Sequence, residues 1–200
     1  NNGYSVIVYD NLYNSDKSIV KKIEKITSKK ITFIKGDLLN KKLLQNSLKK
    51  TKPFAVIHLA ALKSVSESFK KPIEYYKNNF VGSLNLVECL DQINCNYLIF
   101  SSTASIYGEP KYLPIDEKHQ ENPQNVYSKS KLFSEKLFED WAKLKLTRKI
   151  VSLRYFNVAG ACKSGLLKEN IKKSENIFPS FFRSLKLNEP FKIYGYDYDT

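Results

Sequence analysis

The residues with the clearest potential for chemistry are a tyrosine and a lysine four positions apart, Tyr127 and Lys131. At this spacing two side chains lie on the same face of a helix. A free tyrosine has a pKa of roughly 10 and is a poor base at neutral pH, but a neighbouring ammonium favours the phenolate. The pair therefore predicts proton exchange with a substrate alcohol. Because a Tyr-x-x-x-Lys pair often occurs by chance, its context decides its meaning.

That context includes a threonine, Thr103, which closely follows an apolar segment predicted to be a strand, 97–100. Tyr127 and Lys131 lie on the next predicted helix, 126–146. In an open parallel sheet, ligands bind beyond the carboxyl ends of the strands, so a hydroxyl there could share the proton that the tyrosine carries. We therefore expect Thr103, Tyr127 and Lys131 to be the catalytic residues.

Two carboxylates follow two other predicted strands. Asp10 closes the strand-like run 4–10, and Asp37 follows the run 31–34. A carboxylate at the first of these positions can accept both hydroxyls of an adenosine ribose and repels a 2′-phosphate, which favours NAD over NADP. Asp37 could accept a hydrogen bond from the adenine amino group. The alternatives are a solvated aspartate at a strand end and a turn residue after Gly36.

Small residues and a lysine follow the third predicted strand, 54–59. Ala60 and Ala61 would let a dinucleotide approach the backbone, although close helix packing explains them as well. Lys63 could meet a pyrophosphate as a point charge, and a solvated lysine is the alternative. His58, inside this strand, fits a satisfied core histidine better than a ligand.

Strand-like and helix-like segments alternate along the chain. Strands are predicted at 4–10, 31–34, 54–59, 97–100 and 150–155, and helices around Ile19, Ile23 and Ile26, after the capping residue Asn40, from Pro72 onward and over 126–146. On the helix after Asn40, Leu43, Leu44 and Leu48 are expected to point inward. The run 54–59 is apolar throughout, which is typical of a strand buried on both faces of a parallel sheet. The pattern predicts an α/β fold with a doubly wound parallel sheet of the Rossmann type.

The alternation ends near Asn157, where glycines and prolines begin to interrupt shorter segments. We therefore expect a dinucleotide-binding domain over 1–156 and the start of a smaller substrate-binding region over 157–200. The sequence contains no Met and begins inside a strand-like run. The expectation is a piece of a longer protein with both termini missing. Such a piece should be inactive by itself, because its parallel sheet would lack its first strand.

The chain carries a net charge of +13, from 33 basic and 20 acidic residues. The basic residues are mostly lysines spread along the chain, whereas nucleic-acid binding concentrates Arg and Lys on one face. The charge therefore favours anionic small molecules and not nucleic acid. No apolar run approaches the roughly 20 residues that span a bilayer. Cys89, Cys95 and Cys162 and the two histidines fit no metal site, and they favour reduced thiols in the cytoplasm.

With these residues in place, the chain resembles the UDP-glucose 4-epimerases of the extended short-chain dehydrogenase/reductase family over essentially its whole length. The Tyr127 to Lys131 motif alone would mark only the superfamily. The more specific motifs are Tyr9-Asp10-Asn11-Leu12 with Asn14-Ser15, His58 to Val65, Glu74 to Asn79, Ser101 to Gly108 and Leu153 to Asn157.

The resemblance implies an NAD-dependent isomerase of galactose metabolism that interconverts UDP-galactose and UDP-glucose. Hydride leaves C4, the 4-keto sugar turns over, and hydride returns to the other face. Tyr127 is then the base and acid, Lys131 lowers its pKa and holds the nicotinamide ribose, and Thr103 assists. The implied NAD contacts are Asp10, Asn11, Asn14, Ser15, Asp37, Leu38, Leu59, Ala60, Ala61, Lys63, Asn78, Thr103, Tyr127, Lys131 and Phe156. The implied UDP-sugar contacts are Lys63, Thr103, Tyr127, Asn157 and Asn176.

The resemblance also implies a homodimer of the complete protein, paired through the helix after Pro72 and the helix 126–146. The second helix carries more apolar residues than one buried face requires. We expect Phe138 to be one of the apolar residues that point outward.

Departures from the family pattern leave alternatives open. The glycine-rich turn that cradles the pyrophosphate is absent, and so is the C-terminal region that gates sugar size. An epimerase of a UDP-uronate or UDP-pentose therefore stays an alternative. A sugar-nucleotide 4,6-dehydratase is disfavoured because Thr103 is followed by Ala104-Ser105, not by the carboxylates that elimination needs. A non-catalytic NAD-binding protein is the third interpretation.

Overall fold

Residues 3–167, 176–193 and 195 are described in the computed structural model. Their contacts divide the chain into two compact units. The larger unit comprises 5–14 and 32–156, and the smaller takes the described residues within 1–4, 15–31 and 157–200. One boundary between these units falls between Phe156 and Asn157. The assignment of 1–156 to one dinucleotide-binding domain stays a prediction.

The larger unit contains five parallel strands in its described residues. They are β1 (Ile7–Asp10), β2 (Thr32–Lys35), β3 (Ala55–His58), β4 (Tyr97–Thr103) and β5 (Lys149–Tyr155). They form a two-stranded sheet, β1-β2, and a three-stranded sheet, β3-β4-β5. In the general doubly wound strand order 3-2-1-4-5-6, strands 2 and 3 are neighbours, and strands 4, 5 and 6 form a second group of neighbours. The sheet β1-β2 matches the first group, and the sheet β3-β4-β5 matches the second. All five predicted strands are confirmed within a few residues.

Helices lie between these strands, as the alternation predicts, and a further helix follows β5. They are α1 (Ser18–Thr27), α2 (Lys41–Thr51), α3 (Val65–Lys70), α4 (Pro72–Tyr75), α5 (Gly82–Gln92), α6 (Val126–Lys143) and α7 (Ile177–Leu187). Asn40 caps α2, its side chain accepting a hydrogen bond from the Leu43 amide at 3.1 Å, as predicted. Leu44 and Leu48 are buried, but the inward orientation expected for Leu43 is wrong, because that side chain is exposed.

The core of the larger unit lies on one face of β3-β4-β5. It draws buried side chains from α2, α5, β4 and α6, among them Leu44, Leu90, Phe100 and Trp141. On the opposite face, Ile57 is 62% exposed and Val151 is 51% exposed. The prediction that 54–59 is buried on both faces is therefore wrong, because this core covers only one of them.

A single helical rod runs from Pro72 to Gln92, as predicted, but it is not a regular α-helix. Between α4 and α5 lies a π-helical segment, Tyr76–Val81, whose turn is one residue wider. Pro72 occupies the first turn, where its missing N–H costs nothing. The π segment carries Asn78 and Asn79, which makes it relevant to the site below.

The inner face of α6 differs from the prediction. Phe138 is fully buried, with its ring 4.9 Å from that of Phe100, so its expected outward orientation is wrong. Phe133 is the ring that is partly exposed, at 47%. Buried polar residues, including Ser134 and Glu135, occupy much of the inner face, and this is why the apolar pattern alone did not identify it.

In the smaller unit, α1 begins at Ser18 and α7 follows Asn176. The predicted helix around Ile19, Ile23 and Ile26 is thus confirmed as α1. Several apolar side chains of α7 are exposed, including Phe178 and Leu185. Within the described ranges, no helix combines the length and apolarity needed to cross a bilayer.

Candidate active site

Thr103 is the last residue of β4 and lies against the start of a short 3-10 turn, Ala104–Tyr107. Its side chain is buried, and its hydroxyl oxygen accepts a hydrogen bond from the Ser105 amide at 3.2 Å. The strand thus carries the hydroxyl to the carboxyl edge of the sheet, where the sequence predicted it.

Tyr127 is the second residue of α6, and the start of that helix is fixed by a capping box. Asn125 accepts from the Ser128 amide at 2.8 Å, and the Ser128 hydroxyl accepts from the Asn125 amide at 3.4 Å. The Tyr127 side chain is half-buried, and the side chain of Thr103 acts on its ionisation. Burial raises the pKa of Tyr127, and the Thr103 side chain opposes that rise. The structure therefore places two of the three predicted catalytic residues in the same site.

Lys131 lies one turn further along α6 and is almost fully buried. Its ammonium donates to the Ser101 carbonyl at 2.8 Å and stands 4.7 Å from the centre of the Phe100 ring. Burial lowers the pKa of Lys131 to about 7, and the charge of Glu135 counteracts this. In this structure the side chain of Thr103, not Lys131, opposes the effect of burial on the pKa of Tyr127.

His58 is confirmed as a core histidine. It is buried, and its Nε2 lies 3.0 Å from the hydroxyl of Ser83. Burial, with a smaller effect of Lys131, lowers the pKa of His58 to about 3. The ring is therefore neutral at physiological pH and does not compete with Tyr127 as a base.

Asn79 is a site residue that the sequence analysis missed. From the π segment, its amide nitrogen donates to the Leu62 carbonyl and to the Ser130 hydroxyl, both at 3.0 Å. Its amide oxygen accepts from the Leu62 amide at 2.8 Å. The Ser130 hydroxyl in turn donates to the Tyr127 carbonyl at 2.7 Å. Asn79 therefore joins the loop after β3 to the helix that carries Tyr127. The available signal was its place in the Glu74 to Asn79 motif.

A second group of predicted residues surrounds a cavity at the carboxyl ends of β1, β2 and β3. The Asp10 carboxylate accepts from the Leu12 amide at 2.6 Å, and the Asn11 amide donates to the Asp37 carboxylate at 2.8 Å. The small cavity here, of about 60 Å³, adjoins a groove of about 590 Å³. Predicted cofactor residues that line the cavity or the groove are Asp10, Asn11, Asn14, Asp37, Leu38, Ala60, Ala61 and Asn78.

The polar groups that line this cavity fit the adenosine half of a dinucleotide. Carboxylates suit the hydroxyls of a ribose, and the small side chains of Ala60 and Ala61 leave the backbone accessible. Leu59, Lys63 and Phe156 are exposed and do not line the cavity or the groove. Ser15, Asn157 and Asn176 belong to the smaller unit.

The sequence and the fold place this chain among known proteins. The model of the NAD dependent epimerase/dehydratase family matches residues 1–199. A UDP-glucose 4-epimerase of Yersinia enterocolitica is 40% identical over 201 residues, and the match covers 99% of this chain and 60% of the relative. The human UDP-glucose 4-epimerase is 35% identical, with 99% and 60% covered.

A solved structure of UDP-glucose 4-epimerase from Bifidobacterium longum, in complex with NAD+ and UDP, superposes with a TM-score of 0.88. It is 38% identical, and the match covers 99% of this chain and 60% of that one. The chain thus spans about 60% of the length of these relatives, and the likeness confirms the predicted Rossmann-type α/β class. On these grounds the chain belongs to the NAD dependent epimerase/dehydratase family.

Proposed function

We propose that this chain carries the catalytic and NAD-binding residues of a UDP-hexose 4-epimerase. The observation that supports this most strongly is the placement of Thr103 at the carboxyl end of β4 and of Tyr127 and the buried Lys131 one turn apart at the start of α6. The side chain of Thr103 opposes the effect of burial on the pKa of Tyr127. These groups suit proton exchange with a secondary alcohol, which is what the epimerisation of a sugar hydroxyl requires.

NAD is the proposed cofactor, held at its adenosine end by the cavity beside β1. Asp10 would accept the ribose hydroxyls, and Asp37 and Asn11, which are already hydrogen-bonded to each other, would face the base. When bound, NAD accepts a hydride from C4 of the sugar and returns it to the opposite face. Because Asp10 would repel a 2′-phosphate, we expect NAD and not NADP.

Tyr127 would take the proton of the C4 hydroxyl and later return it. Because burial raises the pKa of Tyr127, its phenolate needs stabilisation that neutral surroundings do not supply. The positive charges of Lys131 and of the nicotinamide ring would provide it. Thr103 would relay the proton through its hydroxyl, and the Lys131 ammonium would hold the nicotinamide ribose.

The substrate is proposed to be a UDP-hexose, with Lys63, Thr103, Tyr127, Asn157 and Asn176 as its contacts. A second candidate is a UDP-pentose, because a relative from Pisum sativum that is 37% identical is named a bifunctional UDP-glucose and UDP-xylose 4-epimerase. Comparing kcat/KM for UDP-galactose, UDP-xylose and UDP-glucuronate would rank the candidates.

The complete protein is also proposed to be a cytoplasmic homodimer, paired through the rod 72–92 and α6. Apolar groups are exposed on both elements, since Ile73 is 71% exposed and Phe133 is 47% exposed. The rings of Tyr76 and Phe133 stack with their centres 6.0 Å apart, which gives the two elements a shared aromatic surface.

The function is tested by purifying the complete protein without added nucleotide and identifying what it retains. We expect bound NAD and the interconversion of UDP-galactose and UDP-glucose. The 200-residue chain alone, assayed beside it, should be inactive. A complete protein that retains NAD but converts no UDP-sugar would be a non-catalytic binding protein, and one that retains NADP would contradict the cofactor.

A further inference from the structure

Arg154, in β5, makes ion pairs and hydrogen bonds with three other parts of the larger unit. Its guanidinium donates to the Glu135 carboxylate from Nη2 at 2.7 Å and from Nε at 3.2 Å. The same Nη2 donates to Glu121 at 2.6 Å, and Nη1 donates to the Tyr107 hydroxyl at 3.0 Å. One side chain therefore joins β5, α6, the connection 108–125 and the 3-10 turn.

All three partners are close in sequence to the proposed catalytic residues or to the segments that hold them. Tyr107 ends the turn that begins immediately after Thr103. Glu135 follows Lys131 by four residues and Tyr127 by eight, so the three share a face of α6. Glu121 lies in the connection that leads into α6. In the sheet, Arg154 is the register partner of Ser102, the neighbour of Thr103.

The backbone around these contacts is closely fitted. The Asn122 amide donates to the Ile106 carbonyl at 2.8 Å, which fastens the connection to the 3-10 turn. Gly108 has a φ of +67°, and a Cβ there would collide with the Asn122 carbonyl. The 3-10 turn after Thr103 and the connection 108–125 that leads to Tyr127 therefore pack against each other. Arg154 contacts both of them from β5.

We propose that Arg154 is a positioning residue that holds Thr103 and Tyr127 in place relative to each other by clamping the turn after β4 to α6. This proposal rests on the proposed function for its effect on turnover, but not for its effect on the ionisation of Tyr127. A lysine cannot replace the clamp, because a point charge lacks the planar fork that reaches two carboxylates and a hydroxyl at once.

The chain offers a matched control at the other end of the same strand. Arg148 precedes β5, is buried, pairs with Asp91 and donates to the Trp141 carbonyl at 2.7 Å. Its guanidinium lies 4.2 Å from the Trp141 ring. Arg148 is, like Arg154, a charged arginine with ion-pair and backbone or ring partners, but it contacts none of the segments that carry Thr103 or the start of α6.

The test compares R154K and R148K in the complete protein. For R154K we expect kcat for UDP-galactose to fall about 10- to 100-fold, with KM and bound NAD close to wild type. R148K should keep kcat within about twofold of the wild-type value, even if its unfolding temperature falls as far as that of R154K. Equal losses of kcat in the two variants, or a loss in R154K that appears only in KM, would overturn the proposal.

A second readout does not depend on turnover. The ionisation of Tyr127 is followed as the tyrosinate difference spectrum between each protein and the same protein carrying Tyr127→Phe. Because the side chain of Thr103 lowers the pKa of Tyr127, displacing Thr103 in R154K should move the titration to higher pH, and R148K should not move it. The charged groups on neighbouring elements are Lys131, which donates to Ser101, and Glu135, which is paired with Arg154.

An unmoved titration in R154K would overturn the clamp whether or not the wild type turns over UDP-sugars. A wild type without turnover would contradict only the proposed function. If R154K does not fold, E121Q takes its place, because it removes the charge of the connection and leaves the Arg154–Glu135 pair intact. Unchanged kcat and unchanged Tyr127 ionisation in E121Q would then reject the proposal.

Discussion

The side chains of Asn79 and Ser130 are joined by a 3.0 Å hydrogen bond between the Asn79 amide nitrogen and the Ser130 hydroxyl. Asn79 is buried, and both polar atoms of its side chain are also hydrogen-bonded to the backbone of Leu62. The contact links the loop at the proposed cofactor cavity to the helix that carries Tyr127. Removing it should therefore affect stability and the site together.

We predict that Asn79→Ala lowers the free energy of unfolding by roughly 2–6 kcal/mol, because the buried N–H and C=O of Leu62 each lose a partner at a cost of about 1–3 kcal/mol. Urea unfolding of the complete protein measures this. Asn78→Ala is the control: it removes a side chain that lines the cavity, so it should reduce NAD retention with little loss of stability. Equal stability of the two variants would contradict the role of Asn79.

Tyr127→Phe should lower kcat for UDP-galactose by about 10²–10⁴-fold or more, since the phenol oxygen is needed for proton transfer. Binding of the sugar nucleotide should change little. Steady-state kinetics measure the change in kcat, and calorimetric titration with UDP-glucose measures binding of the sugar nucleotide. Tyr112→Phe, at an exposed tyrosine, should leave both unchanged, and near-normal turnover in Tyr127→Phe would exclude this residue as the base.

Lys131 should make stability rise with pH. Its folded-state pKa of about 7 lies below the ordinary value of 10.5, so between these pH values the unfolded chain binds more protons at this residue. The Lys131 contribution to the unfolding free energy then increases through that window, by at most about 1.4 kcal/mol per pH unit. Below pH 7 both states are protonated and the contribution stays at its least favourable value.

The measurement compares wild type with Lys131→Met by urea unfolding from pH 6.5 to 9.5. The difference, wild type minus variant, should grow with pH. A flat difference would show that the ammonium is not desolvated to the extent that its burial indicates.

Phe133→Glu should split the proposed dimer, because Phe133 is exposed and stacks with Tyr76 on the surface of the two helices. Light scattering at micromolar concentration measures the mass, and NAD content should be retained. Leu146→Glu, at a residue that is 95% exposed after α6, is the control and should remain dimeric. A wild type that is already monomeric would end the dimer proposal.

Asp10→Ala should weaken the retention of NAD, because the proposed acceptor of the ribose hydroxyls is lost. Asp16→Ala is a matched control: Asp16 accepts a hydrogen bond from the amide two residues on, at 2.7 Å, just as Asp10 does at 2.6 Å. Only the first variant should lose cofactor, as measured by the nucleotide released on denaturation. Equal losses would assign the effect to the turn and not to the carboxylate.

The sequence predicted those parts of the fold and site that local patterns encode. Asp10 and Thr103 end their strands and Asp37 follows β2, as a polar residue after an apolar run predicts, while their roles stay predictions. Asn40 was recognised because its side chain acts within one turn of the helix it caps.

The parts that depend on distant contacts were missed. Asn79 matters through partners 17 and 51 positions away, which no local pattern shows. Phe138 was misplaced because the inner face of α6 is partly polar, with Lys131 and Glu135 buried beside it, so apolar residues alone did not mark the core side. The exposure of Ile57 follows from which sheet face the helices cover, and strand composition does not encode that.

The π segment of the rod 72–92 fixes how the rod's two ends are turned relative to each other. A π turn is equivalent to an α-helix with one residue inserted, and each α-helical residue turns the chain by roughly 100°. The insertion therefore lets Ile73 face outward while Leu86 and Leu90 still reach the core. Deleting one residue between Tyr76 and Val81 would regularise the hydrogen bonding and rotate one end by that angle, so the exposed aromatic surface and the buried leucines could not both keep their places. The deletion variant would therefore have a more regular helix but would lose either the surface proposed for dimerisation or the packing of the core beneath it.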